Sequence, residues 1–182
     1  LAGLYIGSDD NDNGEIRIFT PQNGSLKFTD YTDMETLHDY DSVLFSQAVK
    51  FSDQFSEDAA LNVYKHYNTT GLPLELDKSG TRSMGFVNAA KPFILVNIHH
   101  NAMMDNYYNL QSRLNIHEGE HYEQWQSNNN ASTSNKYVKE ILAVATQMFH
   151  DSWSKTTEDF REDAIYYMFR ALSYLIDENI EE

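Results

Sequence analysis

The chain has 182 residues, of which 41% are hydrophobic, and its formal net charge at pH 7 is −15. That length suffices for one domain with a proper core, and no apolar run approaches the roughly 18 residues of a membrane-spanning helix. The negative charge argues against nucleic acid as a partner, because a phosphate backbone would be repelled. Without cysteine there are no disulfides and no thiolate zinc ligands. Because the chain begins with Leu1 instead of Met, we expect a fragment of a longer protein or a processed form.

The first thirty residues predict a β-hairpin. The β-favouring runs 4–6 and 15–19 flank the acidic loop 9–14, which ends in Asn-Gly, a strong hairpin signal. The loop also partly matches a calcium-binding loop, but Thr20 stands where a bidentate glutamate is expected. A solvated hairpin turn is therefore the favoured interpretation.

The middle of the chain predicts a helical region followed by a strand. Apolar residues recur at helical steps within residues 34–67, before a Gly-Leu-Pro segment breaks the pattern. Residues 93–98 form a continuous β-favouring run, Phe-Ile-Leu-Val-Asn-Ile. We expect this run to be a strand that directly precedes the next helix.

The most informative motif is H-E-x-x-H, formed by His117, Glu118 and His121. Two histidines four residues apart on a helix present their imidazoles on one face, so both can bind one metal ion. The glutamate between them would lie near the metal, where it could accept a proton from an activated water. The motif therefore predicts a hydrolytic metal site.

The residues before the motif predict the helix that carries it. Reading backward from the histidines, Leu114, Leu110 and Tyr107 follow at steps of three and four, which is the stripe of a core-facing helix. We expect this helix to span residues 105–125, with Asp105 as its N-cap. A lone histidine on such a stripe would be an ordinary core residue, whereas two at this spacing favour a buried metal site.

A catalytic zinc needs a third protein ligand, and Glu140 is the predicted one. Residues 135–150 predict a second helix, which the polar loop 126–134 can fold back against the first. Glu140 flanks the apolar stripe of that helix, and a buried carboxylate is costly unless it is paired or bound to a cation. The alternative is that Glu140 is a solvated surface residue.

Two further residues are candidates for stabilising an oxyanion. His150 is followed by Asp151, which could hold its imidazole, and Tyr122 is the residue after His121 on the motif helix. Tyr166 and Tyr167, with Tyr108, offer the same phenol chemistry, but Tyr122 is favoured by its position. Residues 157–176 predict a last helix that acts as packing scaffold.

Two sequence patterns resemble known metallopeptidases. The motif together with Glu140-Ile141-Leu142-Ala143 resembles the zincins that take a glutamate as third ligand. The stretches 108–122 and 147–157 resemble the metallopeptidase toxin domains of bacterial polymorphic toxins. This resemblance covers residues 92–165, and the first ninety residues carry none of it.

The resemblance implies a zincin-like α+β fold, with a small β-sheet, the motif helix and a mainly helical C-terminal half. It also implies a Zn²⁺-dependent peptidase of peptide or protein substrates, exported by a bacterium and neutralised by an immunity protein. The strand at 93–98 would then be either an ordinary buried strand or the edge that holds an extended substrate. We expect residues 1–182 to form one domain, with residues 92–176 as the metal-site core. A catalytically inactive zincin-like binding module and a helical interaction domain without metal remain as alternatives.

Overall fold

The computed structural model describes residues 15–21, 40–44, 57–77, 84–97, 106–127 and 135–180. These residues form a mixed α+β fold, mainly helical, so the predicted fold class is confirmed. Among the described residues, no helix combines the length and the apolar character needed to cross a membrane. The elements in chain order are β1 (Arg17–Pro21), β2 (Tyr40–Leu44), α1 (Glu57–Tyr67), β3 (Leu74–Leu76), β4 (Met84–Val87), β5 (Phe93–Val96), α2 (Tyr107–Leu110), a π-helix (Gln111–His117), α3 (Glu118–Ser127), α4 (Lys136–Phe149), a 3₁₀ turn (Trp153–Lys155) and α5 (Glu158–Ile180).

The described N-terminal residues contain one pair of strands. β1 overlaps the predicted strand at 15–19 and pairs antiparallel with β2, with Arg17 opposite Leu44. The predicted partner strand 4–6 and the loop 9–14 lie outside the described residues. β2 falls within the region predicted to be mainly helical, and that prediction is wrong there because pairing with β1 outweighs local helical spacing.

A three-stranded sheet lies before the motif helix in the order β3-β5-β4. β5 is its central strand, parallel to β3 and antiparallel to β4. The strand predicted at 93–98 therefore exists as Phe93–Val96, but the proposal that it forms a substrate-binding edge is wrong. Ile94 and Val96 are fully buried, as a continuous apolar run in a central strand requires. Among the described strands of this sheet, β4 is the edge that packs against α3.

The motif helix, residues 107–127, consists of α2, the π-helix and α3 in direct succession. Asn106 caps it, because its side chain accepts hydrogen bonds from the backbone N–H groups of Tyr108 and Asn109 at 2.9 and 3.3 Å. The predicted cap, Asp105, lies outside the described residues. The π-helix was not expected from the regular stripe, and such segments are rare and frequent at functional sites.

The core lies between the motif helix and the sheet. Leu110 and Leu114 are fully inaccessible there and belong to one apolar cluster with Ile94, Val96 and Tyr64. These burial positions match the predicted stripe. The cluster keeps the motif helix in a fixed position against β4 and β5.

Polar contacts fix α5 relative to the motif helix. The buried Asn109 donates from Nδ2 to Thr157 Oγ1 at 2.8 Å and accepts from the Thr157 N–H at 2.9 Å. Thr157 directly precedes α5, so this pair of hydrogen bonds sets where α5 begins. α5 and α4 correspond to the predicted helices at 157–176 and 135–150, and they pack against each other.

We predict that Leu114→Ala destabilises the chain, whereas Leu142→Ala does not. Leu114 is 0% exposed in the motif helix, so its truncation should cost about 2–5 kcal/mol of unfolding free energy. Leu142 is 48% exposed on α4, and the same change there should stay within about 0.5 kcal/mol. Urea unfolding of both variants measures this; equal losses would contradict the described core.

Candidate metal centre

Three predicted ligands converge in the structure. His117, His121 and Glu140 each offer one ligand atom, and these atoms all lie within 4.8 Å of one another. Glu140 Oε2 is 3.3 Å from His117 Nε2 and 3.4 Å from His121 Nε2. The motif helix supplies the histidines and α4 supplies the carboxylate. This set of two imidazoles and one carboxylate is a zinc-type donor set.

Two glutamines determine which nitrogen of each histidine carries the proton. His117 Nδ1 lies 3.0 Å from Gln147 Oε1, and His121 Nδ1 lies 3.3 Å from Gln124 Oε1. Each amide donates from Nε2 to other oxygen atoms, which leaves its Oε1 facing the histidine. Gln147 Nε2 donates to the carbonyl and hydroxyl oxygens of Ser112. Because an amide oxygen only accepts, each histidine must donate from Nδ1. A neutral ring then carries a lone pair on Nε2.

Those lone pairs make the site suited to a cation. Both Nε2 atoms face the same carboxylate oxygen of Glu140. Three electron-pair donors directed at one point repel each other unless a positive charge lies between them. The donor set, its tautomers and its convergence therefore fit a metal ion.

The pKa shifts describe the same arrangement. Burial lowers the pKa of His117, so its neutral form is favoured. Burial also acts to lower the pKa of His121, but the neighbouring Glu140 and Glu118 carboxylates outweigh it, so the pKa rises. Burial acts to raise the pKa of Glu140, yet the two imidazoles of His117 and His121 beside it hold that pKa well below its ordinary value. An ionised Glu140 beside a neutral His117 is the protonation state that metal binding requires.

Glu118, the predicted base, is held by the edge strand. Its side chain is 1% exposed, and its Oε2 accepts a hydrogen bond of 2.8 Å from the backbone N–H of Phe86 in β4. Its Oε1 is buried and has no hydrogen-bond partner among the described residues. One carboxylate oxygen is thus fixed, and the other keeps its lone pairs available.

The contacts of Tyr122 and His150 that the structure describes are with residues other than the three ligands. The Tyr122 ring stacks on Trp125 at 5.7 Å and packs near Phe86, against the apolar core. His150 caps the end of α4, where its Nδ1 lies 2.8 Å from Ser152 Oγ. Ten residues separate it from Glu140, which is about 15 Å along a helix.

Tyr167 is the aromatic residue that the structure does bring to this group. Its ring on α5 lies 6.5 Å from the His117 ring, and its phenol is close enough to Glu140 for the carboxylate charge to act on it. Burial and the neighbouring Glu140 carboxylate raise the pKa of Tyr167 to about 12. The phenol therefore remains a hydrogen-bond donor at neutral pH.

Sequence reasoning missed Gln147 and Gln124, and spacing could have found both. Gln147 lies seven residues after Glu140, which is two helical turns, and therefore on the same face of α4. Gln124 follows His121 by three residues, within reach on one helix face. Tyr167 offered no such signal, because its position depends on how α5 packs.

An H-E-x-x-H helix whose histidines converge with a glutamate from the following helix defines the class of metal-dependent peptidases. The family described as metallopeptidase toxin 2 matches residues 2–181, so the chain belongs to that family. A search of the curated proteins found no match, and neither did a search of the solved structures. The family confirms the predicted metallopeptidase toxin domain and implies a metal cofactor.

We predict that Gln147→Leu weakens metal binding about 10- to 100-fold, because the histidine it orients loses its fixed tautomer. Gln126→Leu, at an exposed position of α3, is the matched control and should bind metal like the unaltered chain. Competition with a chromophoric chelator measures both affinities. Equal affinities for the two variants would remove Gln147 from the metal centre.

Proposed function

We propose that this chain is a zinc-dependent peptide-bond hydrolase in which Glu118 is the general base. The observation that carries the proposal is the convergence of two histidine Nε2 atoms and the Glu140 carboxylate beside a buried glutamate. One oxygen of that glutamate has no hydrogen-bond partner among the described residues. Membership in a metallopeptidase toxin family supports the same chemistry.

The ligand set favours zinc over the hard cations. Calcium and magnesium prefer shells made of oxygen atoms, whereas zinc accepts imidazole nitrogen together with carboxylate oxygen. His117, His121 and Glu140 would hold the ion and leave a position open. Zinc supplies Lewis acidity there, which makes a water easier to deprotonate and a carbonyl carbon easier to attack.

Glu118 is the base that such a reaction needs. Its Oε1, which has no hydrogen-bond partner among the described residues, would accept the proton of the attacking water and pass it to the leaving amine. The Phe86 N–H holds Oε2, which limits rotation of the carboxylate. A site used only for structure has no need of a base in this position.

Tyr167 is the best-supported donor to the substrate carbonyl oxygen. Negative charge develops on that oxygen during attack, and a fixed hydrogen-bond donor stabilises it. Tyr167 lies beside Glu140 and His117, is 37% exposed and keeps its proton. We therefore assign this role to Tyr167 in preference to Tyr122 or His150.

The edge strand β4 supports binding of an extended substrate. Phe86 directs its N–H toward Glu118 and away from β5, so the side of β4 that does not pair with β5 faces Glu118. A peptide could pair with that edge by strand addition.

We propose a peptide or protein substrate, one domain over residues 1–182, export from a bacterium and an immunity protein as partner.

We predict that Glu118→Gln retains zinc but loses peptide hydrolysis by at least about 100-fold, because the base is removed and the ligands remain. We expect one zinc per chain. His117→Ala and Glu140→Ala should each lower the zinc affinity or abolish zinc binding. Glu123→Gln, an exposed glutamate of α3, is the control that should change neither quantity. Elemental analysis and a fluorogenic peptide library provide the measurements.

Each alternative function predicts a different result in that experiment. An inactive binding module would bind zinc but hydrolyse no peptide in any form, and a helical interaction domain would bind no zinc even after reconstitution. Hydrolysis at the unaltered rate by Glu118→Gln would reject the base assignment.

We also predict that Tyr167→Phe lowers kcat by about 10- to 100-fold with zinc still bound, because a donor to the oxyanion is lost. Tyr166→Phe is the matched control, since the neighbouring tyrosine is 64% exposed. Binding of a phosphinic peptide, which mimics the tetrahedral state, should weaken only in Tyr167→Phe. Parallel effects of the two substitutions would count against the assignment.

A further inference from the structure

The π-helix brings Arg113 and Glu118 together. The backbone N–H of Glu118 bonds to the carbonyl oxygen of Arg113, five residues earlier, which is a π-type hydrogen bond. In an α-helix, residues five apart point about 140° away from each other. The wider π turn reduces this angle, so both side chains can share a face.

These two side chains form an ion pair. Arg113 Nη2 lies 3.5 Å from Glu118 Oε1, the oxygen that has no hydrogen-bond partner among the described residues. The glutamate side chain is 1% exposed and the arginine side chain 21%. A carboxylate buried to this degree is costly without a compensating charge, and Arg113 supplies that charge.

The contact is an ion pair without a close hydrogen bond at this oxygen. Arg113 Nε is also buried and lacks a hydrogen-bond partner among the described residues. The guanidinium is therefore not anchored at Nε, and the backbone turn accounts for its position. Oε1 can therefore still accept a proton. The positive charge of Arg113 attracts the carboxylate toward the guanidinium.

We infer that Arg113 is a positioning residue for Glu118, and that the π turn exists to make this contact. Phe86 N–H holds one oxygen of the carboxylate, and Arg113 orients the other toward the site. The catalytic consequence of this inference rests on the proposed function. The charge pairing itself does not.

A double-mutant cycle on the metal-free chain tests the pairing. Arg113→Met should lower Tm by on the order of 5 °C or more, because it leaves a buried carboxylate unpaired. Adding Glu118→Gln should restore most of that loss. Arg170→Met, which removes an exposed positive charge on α5, should leave Tm unchanged. The same Tm loss with and without Glu118→Gln would overturn the pairing.

The same cycle in the zinc-loaded chain tests the positioning role. Arg113→Met should lower kcat about 10-fold or more with little change in KM or zinc content, and Arg113→Lys should recover part of it. In the Glu118→Gln background, Arg113→Met should cause no further loss. Equal fractional losses in both backgrounds would show a general structural effect and reject the role. If Arg113→Met fails to fold, Arg113→Gln, which also removes the charge but stays polar, completes both cycles.

The two measurements separate this inference from the proposed function. Coupling in Tm with no peptide hydrolysis in any variant would reject the proposed function and leave the ion pair standing. Hydrolysis that depends on Glu118 but shows no coupling to Arg113 would reject this inference and leave the function standing.

Discussion

The described structure depends on one electrostatic constraint, which is the approach of two imidazole lone pairs to a single carboxylate oxygen. Without a cation, these donors repel one another, so the surrounding protein must hold them in place. Gln147 and Gln124 do so from the far side of each ring. The helices that carry the ligands are in turn fixed by the apolar cluster beneath the motif helix.

Metal chemistry of this kind explains why polar groups are buried where a core would normally be apolar. Glu118, His117 and Gln147 are each almost inaccessible to solvent, and each is held by a specific partner. A buried polar network is stabilising only when its members are satisfied. Two atoms have no hydrogen-bond partner among the described residues, Glu118 Oε1 and Arg113 Nε, and they belong to the two side chains of the Arg113–Glu118 ion pair.

Sequence alone could predict the features that depend on local periodicity. H-E-x-x-H, Glu140 and the extents of three helices follow from spacing along one helix face. The sequence could not predict what depends on packing between distant segments: Tyr167 reaches the site through the α4–α5 contact, and β5 is central because β3 and β4 pair on either side of it. Arg113 escaped notice for another reason, since a five-residue spacing is meaningful only in a π turn.

The hydrogen bond from Phe86 to Glu118 connects the sheet directly to the proposed general base. Any peptide that pairs along β4 would restrain the same backbone segment that restrains the base. Binding energy from substrate residues far from the scissile bond can then improve the orientation of the reacting groups at that bond. We therefore expect that lengthening a peptide substrate raises kcat more than it tightens binding. Very short peptides should be poor substrates even when they fit the site.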